Sequence, residues 1–305
     1  MKKKICWVYG NHWNFGIVVA DTLRMFHSAC LELGLNSSIE KELSPNAHNI
    51  LLENFNHDYR KKLEAFSQEG GEFSIIATEL LNEDSFNNTS NNTNDNTQYG
   101  KNDYWLERFD NFLKVERLAK SVFHLNPSQA LLFSKLLKRK VTFIPHGYVD
   151  GFSSVRHRNS TDKDIDILFT GSLTPYRESI INQLSPTKCN VYIADVLTAS
   201  FHRDDLVARA KVCLNIKQDA DWNVFSNSRG HYHISNQSFL LTEECSDACP
   251  IINYVEIAQI DIIQEALNTL ETNSWLEKSY NSLQAFKEEQ RLSLIAQELL
   301  INLSL

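Results

Sequence analysis

The feature that most constrains the fold is a repeated alternation of short apolar runs with segments of helical periodicity. Residues 5–9 form an apolar, β-favouring run that ends at Gly10. Residues 18–33 then carry apolar side chains at helical spacing as far as Gly34. A strand followed by a helix predicts the opening of a parallel sheet, because parallel strands need a crossover connection that is usually a helix.

The same alternation continues through both halves of the chain. Further strands are predicted at 49–53, 73–78, 122–125, 141–144, 165–170, 189–194, 212–216 and 238–242. Helices are predicted at 58–68, 104–119, 128–137, 177–184, 203–210, 230–236, 257–270 and 275–303. The polar, apolar-poor residues 151–163 separate the two series as a linker. We therefore predict an α/β protein with two doubly wound, Rossmann-like sheets that face each other across a cleft, followed by C-terminal helices.

The length agrees with two domains, since 305 residues is about twice the usual unit of ~150 residues. We predict an N-terminal Rossmann-like domain at 1–150 and a C-terminal Rossmann-like domain at 151–280. Residues 281–305 are predicted to be a helix that packs back on the N-terminal domain. The Asn-rich residues 82–102 are predicted to form a mobile surface loop, either an insertion without function or a lid over an acceptor site.

Charge and hydropathy patterning narrow the partners and the location. A net charge of −8 argues against nucleic acid, whose phosphate backbone attracts basic surfaces. The N-terminal lysines precede only five apolar residues, too few for a secretory signal, and no run approaches the ~20 apolar residues of a membrane span. We expect a cytoplasmic protein without a membrane span. The sequence gives no indication of the oligomeric state.

One candidate anion site follows the predicted strand 165–170. Gly171 and Ser172 end that strand, and Gly171 allows the backbone to approach a ligand closely. Thr174 is a good N-cap and precedes a proline suited to the first helical position. Free N–H groups at a helix start bind anions, and Arg177 adds a fixed positive charge suited to phosphate. An ordinary strand-to-helix turn with a surface arginine is the alternative interpretation.

A second group of polar residues follows the next two predicted strands. Asn215 and Lys217 lie at the end of one strand and Glu243 at the end of the other, while Arg229 precedes the intervening helix. A carboxylate such as Glu243 can accept both hydroxyls of a ribose, and Arg229 can pair with a diphosphate. The alternative is a solvated charged face.

These pieces, in this order, resemble the C-terminal domain of GT-B glycosyltransferases, especially the spore-maturation CgeB-like group. The resemblance rests on Gly171-Ser172, Arg177, the segment Leu214-Asn215-Ile216, Arg229 and Glu243. In the first half, Pro145-His146-Gly147-Tyr148 and the strand leading to Glu79 are similar to the corresponding segments of that family. Two features depart from its pattern: Lys217 stands where His is frequent, and the Asn-rich segment follows Glu79.

The resemblance implies sugar transfer from a nucleotide diphosphate sugar, the donor substrate, to an unknown acceptor such as a glycan, a protein or a small molecule. Arg177, Lys217 and Arg229 would offset the charge of the leaving diphosphate. No cofactor and no metal are expected. The pair Asp164 and Asp166 precedes its strand, whereas the D-x-D pair of metal-dependent transferases follows one. A nucleotide-sugar epimerase and a non-catalytic protein that binds sugar nucleotides or glycans are the alternatives.

Two residues of the first half are candidate catalytic bases. His12 lies in the loop after the first strand, and Glu79 lies at the end of the strand predicted at 73–78. Either side chain could deprotonate an acceptor hydroxyl in an inverting reaction. A retaining reaction would not require such a base, and the sequence does not indicate which stereochemistry applies. Loop capping by His12 and a favourable helix-start charge at Glu79 are the structural alternatives.

Overall fold

The computed structural model describes residues 3–14, 16–82, 85–87, 102–247 and 249–304. The chain divides into two compact units. Unit 1 comprises Met1–Pro145 together with Leu292–Leu305, and unit 2 comprises His146–Arg291. Each unit is built on its own parallel sheet, which confirms the predicted α/β class.

Unit 1 contains a six-stranded sheet with the order β2-β1-β3-β4-β7-β8, in which every pairing is parallel. Its strands are β1 (Lys4–Val8), β2 (Ser37–Glu40), β3 (Ala47–Leu52), β4 (Glu72–Ala77), β7 (Val122–His124) and β8 (Val141–Phe143). A separate antiparallel pair is formed by β5 (Leu81–Asn82) and β6 (Ser85–Phe86). The helices are α1 (Ala20–Glu32), α2 (His57–Gln68), α3 (Asn102–Val115), α4 (Pro127–Leu137), α10 (Leu292–Ile295) and α11 (Gln297–Asn302).

The core of unit 1 lies between its sheet and its helices. Strand β3 is buried along its whole length, as expected for a central strand covered on both faces. Aromatic side chains from α3 and α4 pack on one face of the sheet, among them Phe109, Phe112 and Phe133. Together with the strand residues they bury the apolar surface that drives folding of this unit.

The start of the predicted surface loop is buried, so that prediction was wrong for residues 85–87. Phe86 is fully buried and its ring contacts Phe109, Phe112 and Phe133. Asn87 is also buried, and its side chain donates to the Glu79 carboxylate. The prediction overlooked Phe86 as an apolar anchor. Residues 83–84 and 88–101 of the predicted loop lie outside the described residues.

Unit 2 contains a five-stranded sheet with the order β10-β9-β11-β12-β13, again with parallel pairings throughout. Its strands are β9 (Ile165–Thr170), β10 (Val191–Ala194), β11 (Ala210–Asn215), β12 (Leu240–Thr242) and β13 (Glu256–Ile257). Its helices are α5 (Pro175–Ile181), α6 (Ser200–Arg209), α7 (Asn227–Ser235), α8 (Ile262–Thr272) and α9 (Trp275–Glu289). Strands β9, β11 and β12 occupy the middle of the sheet, so their carboxyl ends share one edge.

The helix predicted at 275–303 is interrupted. Helix α9 ends at Glu289, and the Gln290 carbonyl accepts a hydrogen bond from the Tyr148 N–H at 2.7 Å. Beyond this break, α10 and α11 belong to unit 1, where the Ser293 hydroxyl donates to Glu32 at 2.6 Å. The apolar periodicity resumes after the break, so it did not reveal that the chain leaves one unit for the other.

No helix within the described ranges is both long enough and apolar enough to cross a membrane.

Candidate functional site

The carboxyl edge of the unit 2 sheet collects the residues that the sequence singled out. Strand β9 leads into Gly171, β11 into Ile216 and Lys217, and β12 into Glu243. Ligands of open parallel sheets bind outside the carboxyl ends of their strands. The predicted donor-side residues therefore lie at the edge where a ligand is expected.

Gly171 is in a backbone conformation that favours glycine, with φ of 138°. A Cβ atom at this position would lie only 2.7 Å from Nη2 of Arg229. The Gly171 N–H donates to the Ala194 carbonyl at 3.0 Å and fixes the turn. The glycine thus leaves room for a guanidinium group against the end of β9.

Arg177 is buried, with 9% of its surface exposed, and joins two loops by hydrogen bonds to three backbone carbonyls. Its Nε donates to Ile216 at 3.0 Å and to Lys217 at 3.1 Å. Its Nη1 donates to Ser172 at 2.8 Å. Burial lowers the pKa of Arg177 to about 10, since the charged form loses hydration that neighbouring carboxylates only partly replace.

Arg229 is half-buried and donates to the Asn215 side-chain oxygen, which the Asn215–Thr242 hydrogen bond orients. Burial lowers its pKa to about 9, and the positive charge of Arg177 contributes to that lowering. Both guanidinium groups lie over the Phe169 ring, at 5.5 Å for Arg177 and 5.7 Å for Arg229. Neither arginine forms an ion pair with a carboxylate among the described residues. The arrangement is a pair of shielded positive charges suited to an anion.

Glu243 is held by two donors at the same edge. Its Oε1 accepts from the Tyr176 hydroxyl and its Oε2 from the Lys217 N–H, each at 2.6 Å. The Lys217 ammonium group donates instead to the Ala220 carbonyl at 3.0 Å. The carboxylate is therefore oriented by protein groups and retains lone pairs for further donors, such as ribose hydroxyls.

Thr174 is the N-cap of α5, and Pro175 is its first residue, as the sequence predicts. The Thr174 Oγ1 accepts from the Arg177 N–H at 3.3 Å and donates to the Gln218 carbonyl at 2.8 Å. The hydroxyl thus ties the loop after β9 to the loop after β11. Because both loops carry candidate ligand residues, Thr174 positions the site as well as the helix.

Hydrogen bonds link Arg177 with Ser172, Arg229 with Asn215, and Lys217 with Glu243. The Phe169 ring lies beneath both guanidinium groups. Sequence reasoning missed the contributions of Phe169 and Tyr176. Phe169 lies in an apolar strand and looked like any core residue. The hydrogen bond between Tyr176 and Glu243 could not be predicted from a local pattern, because the two residues are 67 positions apart.

Unit 1 carries a second group of polar residues, around Arg108. This buried arginine donates to both carboxylate oxygens of Glu53 and to Glu79 Oε1, the latter at 2.9 Å. Its Nη1 donates to the Tyr104 hydroxyl at 3.3 Å. The guanidinium also lies 5.1 Å from the ring of Trp105. One cation is thereby shared between two carboxylates at the carboxyl ends of β3 and β4.

The pKa values of the two carboxyl groups are shifted in opposite directions. Burial raises the pKa of Glu53 to about 7, and Arg108 offsets this only in part. Burial also acts to raise the pKa of Glu79, but the charge of Arg108 and hydrogen bonds from Asn87, Arg108 and Thr78 outweigh it, so the pKa is lowered. Glu79 is therefore ionised at neutral pH and is a weak base in this arrangement.

His12 is buried beside this group. Burial is the main cause that lowers its pKa to about 4, and the nearby charge of Arg108 acts in the same direction, so the ring is neutral at neutral pH. Its Nδ1 lies 3.3 Å from the Asn54 amide nitrogen, which donates to it. Glu79 and His12 were expected from the sequence, whereas Glu53 and Arg108 were not. Glu53 directly follows the buried run of β3, which was an available signal, whereas Arg108 lies inside a helix.

The Asp164 and Asp166 pair lies at the amino end of β9, remote along the strand from Gly171. Asp164 pairs with Arg209 at 2.6 Å and Asp166 with Lys211 at 2.7 Å. His231 and His233 are buried in α7. Among the described residues, no group of three or more His, Cys, Asp or Glu side chains could hold a metal ion.

Several solved structures are similar to this chain. The UDP-forming α,α-trehalose-phosphate synthase from Burkholderia xenovorans is 9% identical, with a TM-score of 0.53 over 99% of each chain. The fold is that of the GT-B class. The N-terminal domain of the Candida albicans trehalose-6-phosphate phosphatase is 10% identical, with a TM-score of 0.46 over 86% of this chain and 72% of that one. A pneumococcal O-GlcNAc transferase in complex with UDP and GlcNAc is 12% identical, with a TM-score of 0.47 over 93% of this chain and 60% of that one.

No protein-family model matches the chain, and no curated protein matches it. At these low identities the similarity concerns the fold alone. The chemistry of the site therefore has to be argued from its own residues.

Proposed function

We propose that this protein is a glycosyltransferase that moves a sugar from a nucleotide diphosphate sugar to an acceptor. Unit 2 binds the donor, and unit 1 contributes the acceptor side. Within the GT-B class we place it with the CgeB-like group, on the strength of Gly171-Ser172, Arg177, Arg229 and Glu243.

The observation that carries the proposal is the pair of arginines at the carboxyl edge of the unit 2 sheet. Arg177 and Arg229 have lowered pKa values and no ion-pairing carboxylate among the described residues. Burying a charge without a partner is unfavourable, so a bound anion would relieve a cost that the fold already bears. A diphosphate carries charge enough for two arginines and suits the fork geometry of guanidinium groups.

The same pair supplies a physical basis for catalysis. As the bond between sugar and diphosphate breaks, negative charge grows on the leaving oxygen. Preorganised positive groups stabilise that charge without having to reorganise during the reaction. The Asn215–Arg229 hydrogen bond and the carbonyl contacts of Arg177 hold the two guanidinium groups in place beforehand. Glu243, oriented by Tyr176 and Lys217, is suited to accept the ribose hydroxyls of the donor.

We further propose that transfer needs no metal ion. Asp164 and Asp166 are paired with Arg209 and Lys211 at the opposite end of β9 from Gly171. The charge of the diphosphate is instead offset by arginine. Turnover should therefore persist in EDTA, and loss of turnover restored by manganese or magnesium would contradict this part of the proposal.

The donor site can be tested by calorimetry with UDP and other nucleoside diphosphates. Arg229→Gln removes the charge but keeps an amide able to donate to Asn215, so it should weaken diphosphate binding by about tenfold or more. A charge-assisted hydrogen bond contributes about 1.5–3 kcal/mol, which corresponds to that range. The matched control is Arg156→Gln, an exposed arginine of unit 2. Equal diphosphate affinity in the two variants would refute the assignment of the site.

Two product assays separate the alternatives. A transferase releases nucleoside diphosphate slowly from the donor when water replaces the acceptor, whereas a binding protein releases none. An epimerase interconverts free nucleotide sugars without releasing diphosphate. UDP-sugars are the first donors to test, because the structurally similar trehalose-phosphate synthase is UDP-forming.

A further inference from the structure

Two consecutive residues of unit 1 have buried polar atoms without a hydrogen-bond partner among the described residues. They are Oδ1 of Asn11 and Nε2 of His12, and each residue is only 6% exposed. Native proteins satisfy nearly all buried polar atoms, so such an atom calls for a ligand or a bound water. Both residues lie in the loop that leaves the carboxyl end of β1, where ligands of parallel sheets bind.

The hydrogen bonds on the other sides of these residues define what the two atoms offer. Asn11 Nδ2 donates to the Leu52 carbonyl at 2.6 Å, so its Oδ1 is a fixed acceptor. His12 Nδ1 accepts from Asn54, which leaves the proton of the neutral ring on Nε2 as a donor. An acceptor and a donor on adjacent residues match a hydroxyl group, which donates one hydrogen bond and accepts others.

The charges around the pair offer no unpaired cation to an anionic ligand. Arg108 is the cation that His12 faces, and its donors are occupied by Glu53, Glu79 and Tyr104. Glu79 is ionised and would repel a phosphate or a carboxylate. The ligand that fits is therefore neutral and rich in hydroxyl groups.

An exposed aromatic side chain adjoins the pair. Trp13 directly follows His12 and is 54% exposed, and Ile17 and Val18 shortly after it are 38% and 43% exposed. An indole ring provides a flat apolar surface with a polar edge. Sugar rings combine hydroxyl groups with apolar C–H faces, so the loop offers both kinds of contact that a sugar needs.

We propose that the loop Asn11-His12-Trp13 of unit 1 binds the acceptor, and that this acceptor is a neutral sugar. The inference rests on the proposed transferase function. One sugar hydroxyl donates to Asn11 Oδ1 and accepts from His12 Nε2, while the apolar face of the ring packs against Trp13. Both polar atoms are shielded from solvent, so Asn11 and His12 move when the sugar enters.

The test is direct binding of methyl glycosides to the full chain, measured by NMR titration without any donor. Neutral methyl hexosides should bind, whereas the corresponding uronate and sugar phosphate should bind at least tenfold more weakly. His12→Asn keeps an acceptor near the Nδ1 position but deletes the Nε2 donor, so it should weaken binding about five- to tenfold. His12→Gln restores a donor near the Nε2 position and should recover much of the affinity. His202→Asn, at an exposed histidine of unit 2, should bind as the wild type does.

A variant at an exposed residue of the same loop tests binding without the risk that the protein fails to fold. Trp13→Ala removes an exposed side chain and should weaken neutral glycosides severalfold without lowering the melting temperature. Its control is Leu31→Ala, at a similarly exposed apolar residue of unit 1.

UDP affinity, measured on the same samples, separates this inference from the proposed function. Normal UDP binding without any binding of neutral glycosides would overturn the acceptor assignment and leave the donor site standing. Preference for the anionic glycosides would also overturn it. So would a His12→Asn variant that loses stability but keeps its glycoside affinity, because the two atoms would then serve only the fold.

Discussion

At the scale of single residues, the absent side chain of Gly171 decides where the Arg229 guanidinium can lie. The positive φ of 138° and the 2.7 Å approach are separate constraints, since the first acts on the backbone and the second on the neighbour. Any larger residue would strain the turn and also displace a charge from the proposed diphosphate site. A substitution here should therefore affect both stability and binding.

Gly171→Ala should lower the free energy of unfolding by about 1–2 kcal/mol, the usual cost of an L-residue at positive φ. It should also weaken nucleoside diphosphate binding, because its Cβ displaces Arg229. Gly151→Ala is the matched control, since Gly151 has φ of 72° but a Cβ added there would meet no atom within 4 Å. Urea denaturation and calorimetry should show that both variants lose stability and that only Gly171→Ala loses affinity. Equal affinities would mean that Arg229 does not contact the diphosphate.

The sequence indicated that Gly171, Lys217 and Glu243 would lie at one edge of a sheet, because each closely follows a strand and the carboxyl ends of parallel strands meet there. It could not indicate that Phe169 lies beneath both arginines, or that Arg108 joins Glu53 to Glu79. Those contacts depend on how helices pack over the sheet. Such packing brings together residues that are far apart in the sequence, and short sequence motifs do not indicate these contacts.

At the scale of elements, α5 is held to the sheet by its first turn. The Thr174 hydroxyl caps the helix and reaches the Gln218 carbonyl, so one oxygen joins the ends of two strands. The helix has only seven residues and depends on such tertiary anchoring more than on its own propensity.

Thr174→Ala should lower the free energy of unfolding by about 1 kcal/mol, in the range found for lost N-caps. It should also weaken diphosphate binding, because the Thr174 hydroxyl holds the backbone of Arg177 in the first turn of α5. Thr174→Ser keeps the hydroxyl and should preserve both properties. If serine and alanine proved equally harmful in denaturation and calorimetry, the lost methyl group rather than the hydrogen bonds would be responsible.

Most elements were predictable because their apolar residues repeat with a strand or helix period. The edge strands β2 and β13 were not predicted, since they are short, polar and only half-buried. In place of the helix predicted from residue 257, the chain forms β13 and begins α8 at Ile262, after the Asp261 cap. The pairing of β5 with β6 was not predicted, because a single aromatic residue such as Phe86 in a polar segment shows neither a strand nor a helix period.

At the scale of the whole molecule, both units contain histidines that burial keeps neutral. Burial lowers the pKa of His12 and His48 in unit 1 to about 4, and that of His146 and His233 in unit 2 to about 3. In the unfolded chain these groups have a pKa of about 6.5. Between these values the unfolded state binds more protons than the folded state, so stability falls as the pH falls.

The free energy of unfolding should therefore be fully retained above pH 6.5 and decline steadily toward pH 4, the window set by those pKa values. Glu53, whose pKa is raised to about 7, works in the opposite direction over part of this window, but it is one group against four. The expected slope near pH 5.5 is on the order of 3 kcal/mol per pH unit, since each proton contributes about 1.36 kcal/mol. Urea denaturation at several pH values between neutrality and pH ~5 measures it.

His48→Gln should flatten this slope by about a third, because it removes one of four buried histidines while the opposing Glu53 remains. His202→Gln, at an exposed position, should leave the slope unchanged. Stability that stays constant as the pH falls from about 6.5 to about 5 would show that the buried histidines are accessible to protons in the folded state.

The return of residues 292–304 to unit 1 has a consequence for biosynthesis. Unit 2 is one continuous stretch, so it can fold as soon as residue 291 has left the ribosome. Most residues of unit 1 are synthesised before those of unit 2, yet unit 1 lacks α10 and α11 until unit 2 has been synthesised. Domains usually fold in the order in which they are made. In this protein the later unit can be complete first, and a ribosome stalled just after residue 291 has emerged would carry a finished unit 2 and an unfinished unit 1.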